Sequence, residues 1–233
     1  MTSAASPRKT AFRLVRWLIV AVAALILLPY LIAPLYRVVD PVSTLMLGRW
    51  FLGKRVERTV VPLERVAPVL PRTVIASEDA RFCTHRGIDL IEMRAAMDDA
   101  EDITDIRGGS TISQQLAKNL FLWPGRSFIR KGLELPLALW IDLVLPKRRI
   151  LEIYLNVAEW GPNGEFGVEA GARKAFNKSA KDLSPAEAGL LAAVLPNPRR
   201  RSAMQPRPGV RHIAGIVQAR AARAKSIDAC LKG

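Results

Sequence analysis

Glu78 closes an apolar run, TVIAS from Thr73 to Ser77, and so stands where a helix would carry a carboxylate to the edge of a core. Partial desolvation there disfavours the charged form, raises the pKa and makes the group a better proton acceptor near neutral pH. Two solvated acids at a helix end, Glu78 and Asp79, account for the same residues about equally well. Asp79, Phe82 and His85 follow at i, i+3 and i+6, close enough for one local cluster. His85 taken alone reads as a hydrogen-bonded structural histidine.

A second set lies in GGSTISQQLAKNL, from Gly108 to Leu120. Ile112, Leu116 and Leu120 recur at i, i+4 and i+8 and form an apolar helical stripe. Thr111, Gln115 and Lys118, at i, i+4 and i+7, form a polar one. A hydroxyl, an amide and an ammonium on one short helix suit an anionic, hydroxyl-rich substrate. A third set is RSFIRKGLE. Arg126, Arg130 and Glu134 share a row at i, i+4 and i+8, and Lys131 reaches Glu134 at i+3. A salt-bridged helix face is the plainer account. If the turn Leu122–Gly125 folds the two helices together, Lys118, Arg126, Arg130 and Lys131 make one cationic patch around a single acid. Such a patch suits a pyrophosphate.

The elements that must position these groups read as mostly helical. Helices are expected at Val39–Phe51, Pro71–Glu78, Ile88–Asp99 and Ser127–Leu145, the last with Ser127 as N-cap. Pro146 breaks that helix and Lys147–Val157 resumes it. Val168–Phe176 is helical, and Ser184, Pro185 and Glu187 make a capping box for a helix to Leu195. Val210–Ser226 reads as a basic terminal helix. RTVVP, from Arg58, is the one expected extended piece. The acidic stretch 98–107 reads as a mobile loop hinged at Gly108 and Gly109. Glu152 and Asn156, at i and i+4, read as braces for neighbouring loops, and Arg199, Arg200 and Arg201 as a solvated run or a membrane-surface contact.

The chain has 233 residues and a net charge of +14. Trp17–Tyr36 is 20 residues without a charge, long enough to span a bilayer and too long for a cleaved signal peptide. Four basic residues precede it and four follow closely, so charge does not orient the span. Beyond it stand 31 basic and 21 acidic residues, or +10, in a length that suits one buried domain. That charge fits a polyanionic partner: nucleic acid, anionic membrane or phosphorylated substrate. His85 and His212 are the only histidines, with no cysteine cluster near either, so no zinc site is expected. Cys83 and Cys230 fit a pair or two free thiols equally.

Five segments, in order, resemble the family 51 glycosyltransferases, the peptidoglycan glycosyltransferases of bacterial cell-wall synthesis. They are EDARFCTHRG from Glu78, GGSTISQQLAKNL from Gly108, RKGLELPLALWID from Arg130, KRRILEIYLN from Lys147 and FGVEAGARKAFNK from Phe166. With no transpeptidase segment following, the chain resembles the monofunctional members. The resemblance implies a mainly α, lysozyme-like fold with an N-terminal transmembrane helix. It divides the chain into a cytoplasmic tail (1–16), an anchor (17–36), a membrane-proximal segment (37–61), the glycosyltransferase domain (62–198) and a basic C-terminal helix and tail (199–233).

The resemblance also implies Glu78 as catalytic base and Glu134 as a second essential carboxylate. Lys118, Arg126 and Lys131 would hold the donor pyrophosphate. Ser110, Thr111 and Gln115 would contact substrate, while Asp79, Phe82 and His85 would shape the site. The implied reaction polymerises lipid II into β-1,4 glycan with inversion and release of undecaprenyl pyrophosphate. Implied partners are lipid II, the growing glycan strand, membrane lipids and cell-division or elongation proteins, with no nucleic acid. No cofactor is required, although Glu134 could orient the cations or bind a divalent ion (Mg or Mn) at the pyrophosphate. The domain is expected outside the cytoplasm, on a single-pass anchor in the inner membrane. Two departures stand out: Ala175 where an aromatic residue is usual, and Asp142 near the place of a Glu. The rivals are a lysozyme-like lytic transglycosylase, which needs no cation cluster, and a non-catalytic membrane-anchored scaffold.

Overall fold

The computed structural model describes residues 7–98, 109–125 and 127–232, with side chains from residue 11 onward. Nearly all of the acidic segment 98–107, together with Gly108 and Arg126, lies outside them. The first helix, α1 (Pro7–Ile32), runs into a 3-10 turn, Ala33–Arg37. Together they carry an apolar stretch, Ala11–Arg37, long and apolar enough to cross a membrane. The helix begins before Trp17 because Arg8, Lys9 and Arg13 do not oppose helix formation. Charge marks where an apolar span ends, not where its helix does.

A short helix, α2 (Thr44–Phe51), follows. It starts later than expected: Pro41 disfavours helix at the residue before it, and the Ser43 side chain caps the helix by accepting from the Met46 N–H at 3.2 Å. The strand expected around Arg58 is two residues long, β1 (Glu57–Arg58). It pairs in parallel with β2 (Glu165–Phe166), which has too few residues to show a periodicity. The remaining helices are α3 (Val69–Glu78), α4 (Leu90–Asp98), α5 (Ile112–Phe121), α6 (Phe128–Val144), α7 (Lys147–Val157), α8 (Val168–Phe176), α9 (Pro185–Val194) and α10 (Pro208–Arg223).

Two sets of helices meet at the core. In one, α5 packs on α6 and α7; in the other, α3 packs on α9 and α10. Ile112, Leu116 and Leu120 of α5 are buried, as their spacing requires, with Ile150, Leu151 and Tyr154 of α7. Each such side chain contributes about 1.5–3 kcal/mol by leaving water. The Ser184 capping box forms as expected, and Pro146 separates α6 from α7. Glu152 and Asn156 do brace a loop. Glu152 Oε2 accepts from Leu63 N–H at 2.7 Å, and Asn156 both accepts from Val61 N–H and donates to Val61 C=O.

The terminal helix α10 buries Val210, Ala214, Val217 and Ala221 against α3 and α9. Its close approach depends on Gly189, where an added Cβ would stand 2.9 Å from Ala214 O. A disulfide, Cys83–Cys230, then fastens the end of the chain to the segment after Glu78. The apolar span is tied to the domain as well. Trp140 Nε1 on α6 donates to Tyr30 C=O at 2.9 Å, and Arg149 donates to the carbonyls of Tyr36 and Val39.

Candidate active site

Glu78 is the last residue of α3, and the apolar run before it is buried on one side by α9 and α10. The carboxyl is half-buried and held at both oxygens. Gln115 Nε2 donates to Oε2 at 3.0 Å and Ser77 Oγ donates to Oε1 at 3.1 Å. Burial pushes its pKa up. The two hydrogen bonds and the charges of Lys118 and Arg201 oppose that rise without cancelling it. Of the two accounts that the sequence left level, the desolvated carboxyl is the one the structure shows.

Gln115 does not hold Glu78 unaided. Its Oε1 accepts from the Tyr154 hydroxyl at 2.9 Å, so the amide can present only its NH₂ to the carboxylate. Tyr154 is fully buried on α7. In sequence it reads as core, and only the fold reveals the polar end of its ring.

Asp79 caps the same segment from below. Its Oδ2 accepts from Ile112 N–H at 2.9 Å, at the start of α5, and both oxygens lie within 3.0 Å of His85 Nε2. Phe82 is fully buried beside them, with Lys147 Nζ 4.5 Å from its ring centroid. His85 is thus structural, as its isolation suggested. Asp79, His85 and Asp89 bring ligand atoms within 4.8 Å of one another. Each is already engaged: Asp89 Oδ1 accepts from Ile91 N–H at 3.0 Å, and its Oδ2 lies 2.9 Å from Arg81 Nε.

Thr111 differs from its expected place on the polar stripe. It is the N-cap of α5, not a helical residue. Its hydroxyl accepts from Gln114 N–H at 3.1 Å and donates to Gly87 C=O at 2.6 Å, and Gln114 completes a capping box. The hydroxyl is therefore consumed in building the site. The signature T-x-x-Q was present in the sequence and would have found it.

The cation cluster assembles on α5 and α6. Glu134 is buried, with Lys131 Nζ 2.6 Å from Oε1 and Arg130 bonded to Oε2. Lys131 also donates to Ser110 Oγ at 3.0 Å, which draws the loop before α5 into the cluster. Lys118 lies in the field of Glu134, Arg130, Lys131 and Glu78. Its pKa is lowered, first by burial and then by the two cations, with the acids opposing. Arg126 falls outside the described residues.

Two cavities flank Gln115. One, about 660 Å³, is lined by Glu78, Ser110, Thr111, Glu92 and, from α10, Ile213 and Arg220. The other, about 480 Å³, is lined by Lys118, Arg130, Tyr154, Trp123 and Arg199. The basic run 199–201 is thus not simply solvated. Arg199 Nε lies 3.4 Å from Glu159, and Arg201 donates to Ala193 C=O at 2.7 Å. A desolvated carboxyl thus lies beside one cavity and a cluster of cations beside the next.

The comparisons with known proteins agree. The family model described as transglycosylase matches residues 45–222. The chain belongs to the transglycosylase family. It is 61% identical to a protein of Nitrobacter hamburgensis over 89% of this chain and 93% of that one. It is 59% identical to one of Rhodopseudomonas palustris, over 97% and 95%, and 48% identical to one of Rhizobium meliloti, over 93% and 92%. All three bear the name biosynthetic peptidoglycan transglycosylase. The family match takes in all but the last residue of α10, in keeping with the packing of that helix beside Glu78. The mainly helical, lysozyme-like architecture that the motifs implied is the fold of this transglycosylase.

Proposed function

We propose that this transglycosylase polymerises lipid II into β-1,4-linked glycan strands in cell-wall synthesis, with Glu78 as the base. The observation that carries the reading is the pairing of a desolvated carboxyl with a separate, carboxylate-centred cation cluster across Gln115. The 4-hydroxyl of the acceptor sugar lies in the Glu78 cavity and gives its proton to the carboxylate as its oxygen bonds to the donor's anomeric carbon. The bond from that carbon to the pyrophosphate oxygen breaks on the opposite face, and its electron pair leaves with the pyrophosphate. The anomeric centre inverts. Lys118, Lys131 and Arg126 neutralise the leaving group. Ser110 holds Lys131 in place, and Gln115 holds the base.

Glu134 acts in this scheme as a positioning residue. Its two oxygens are occupied by Arg130 and Lys131, so it sets where the cations stand. The same occupancy bears on a divalent ion. Among the described residues the cluster offers one carboxylate already shared by two cations, which does not fit the several oxygen ligands of Mg or Mn. No step is routed through such an ion.

The Cys83–Cys230 disulfide supports a domain outside the cytoplasm, where disulfides form and persist, on a single-pass anchor made by Ala11–Arg37. The test is incubation of the full chain with lipid II and, separately, with finished glycan. Polymer should form from lipid II, and Glu78→Gln should reduce its formation about 10²–10⁴-fold with the fold intact. Shortening of finished glycan without polymer from lipid II would establish the lytic alternative instead.

A further inference from the structure

A cavity of about 760 Å³ lies where the end of the anchor, the segment 83–86 and the α6–α7 junction meet. It shares no lining residue with either cavity around Gln115. We propose that it binds the phosphodiester headgroup of an anionic glycerophospholipid at the bilayer surface. The proposal rests on reading α1 as the anchor and is independent of the reaction assigned above.

Charge is the first argument. Arg37, Arg86 and Lys147 line the cavity against one carboxylate, Asp142. That carboxylate is already committed: its Oδ2 accepts from Lys147 Nζ at 2.6 Å and from Ser113 Oγ at 2.9 Å. Arg37 and Arg86 have no acidic partner among the described residues. Two positive charges in the lining therefore have no carboxylate, and the one hydrogen bond either of them makes among the described residues is from Arg37 Nε to the Val144 carbonyl, at 2.6 Å. His85, also on the wall, has a buried Nδ1 with no hydrogen-bond partner among the described residues.

The start of α7 points the same way. Its N-cap is Pro146, with no side-chain cap, and its first turn reads Lys147, Arg148, Arg149 with no acid. Cations there oppose the helix dipole, and the first N–H groups lack intrahelical acceptors. Arg148 and Arg149 are offset by Glu64 and by Asp40 and Glu152. Pro146 and Lys147, at this helix start, line the cavity, and the start of a helix suits phosphate oxygens.

Position decides in favour of a lipid over a dissolved anion. Arg37 is the last residue of the apolar span, so the cavity opens at headgroup level. Its apolar lining is exposed at Leu143, which is 69% accessible, and Val38, the residue after Arg37, is 86% accessible. Leu139, one turn before Leu143, is 47% accessible. A phosphate in solution has no use for that apolar surface, whereas an acyl chain does. An occupant would also touch the back of the catalytic segment, because Lys147 contacts Phe82 and His85 holds Asp79.

Native mass spectrometry of the full chain in micelles, titrated with phosphatidylglycerol or phosphatidylcholine, tests this. The wild type should retain one phosphatidylglycerol at concentrations where phosphatidylcholine is not retained. At about fivefold per arginine, Arg37→Gln with Arg86→Gln should weaken retention roughly 25-fold. Arg200→Gln with Arg207→Gln, which removes the same charge elsewhere, should leave it unchanged. Arg86→Gln alone, about fivefold weaker, serves if the double variant does not fold, since the Arg86 side chain makes no hydrogen bond among the described residues. Equal retention of the two lipids, or equal loss in the distal variant, would overturn the proposal. So would displacement of the lipid by an equal concentration of inorganic phosphate, since the site would then recognise the anion alone.

Discussion

Replacing Tyr154 by Phe removes one oxygen from the core and should change how Glu78, the proposed base, titrates. In the wild type the Tyr154 hydroxyl donates to Gln115 Oε1 at 2.9 Å, and Gln115 Nε2 donates to Glu78 at 3.0 Å. Without the hydroxyl, nothing fixes the sense of the amide, and its oxygen can face the carboxylate as readily as its NH₂. The bond to Glu78 favours the charged form, so its partial loss lets burial raise the Glu78 pKa further. A neutral hydrogen bond contributes about 0.5–1.5 kcal/mol net, and about 1.4 kcal/mol is tenfold in rate. The expected loss in kcat/KM is therefore about 2–10-fold on the acid side of the profile. The acid limb moves to higher pH, and the deficit shrinks once Glu78 is ionised in both proteins. Polymerisation of lipid II measured across pH reads this directly, and thermal unfolding separates it from a general loss of stability. Gln115→Ala should cost more than Tyr154→Phe, and adding Tyr154→Phe to it should cost nothing further. Losses that add, or a deficit of one size at every pH, would show that Tyr154 acts through packing alone.

The raised pKa of Glu78 also predicts a trade between activity and stability. A carboxyl whose folded-state pKa lies above its unfolded value weakens the fold as pH rises from the unfolded value through the folded one. Glu78→Gln should then unfold at a higher temperature than wild type at neutral pH, with the difference vanishing in acid; a lower melting temperature at neutral pH would contradict the burial argument. Cys83→Ser with Cys230→Ser opens a loop whose ends are 147 residues apart. It should lower the unfolding free energy by about 2–5 kcal/mol relative to the oxidised wild type in denaturant titration, to about the level of the reduced wild type, and a midpoint equal to that of the oxidised protein would mean that the bond does not constrain the chain.

The motifs of the site were readable because the groups they bring together are close in sequence or lie on adjacent helices. Glu78 at the end of an apolar run, and Lys131 with Glu134 at i+3, need only helical geometry to be placed. Thr111 was misplaced by one residue of helix boundary: the same spacing that put it on a polar stripe makes it the cap, and periodicity alone does not say where a helix begins. Tyr154 and Arg201 were beyond reach for another reason. Their polar ends meet partners 39 and 8 residues away through tertiary packing, and neither carries a local signature. The role of α10 beside Glu78 was hidden likewise. The sequence marked it only as a basic terminal helix after the expected glycosyltransferase domain, while its small buried stripe of Ala214, Val217 and Ala221 packs it on α3 and α9.

The hydrogen bond from Trp140 to Tyr30 fixes a height. Trp140 stands in the last third of α6 against the apolar span, and Lys131 lies nine residues earlier on the same helix. At 1.5 Å per residue the two are about 13 Å apart along the axis. The helix is a ruler with one end fastened to the apolar span and the other carrying the cations. On the proposed reading of that span as an anchor, the spacing along α6 sets how far the cations stand from it, so inserting or deleting one helical turn between Gly132 and Leu139 would displace the cations while leaving both the anchor and Glu78 in place.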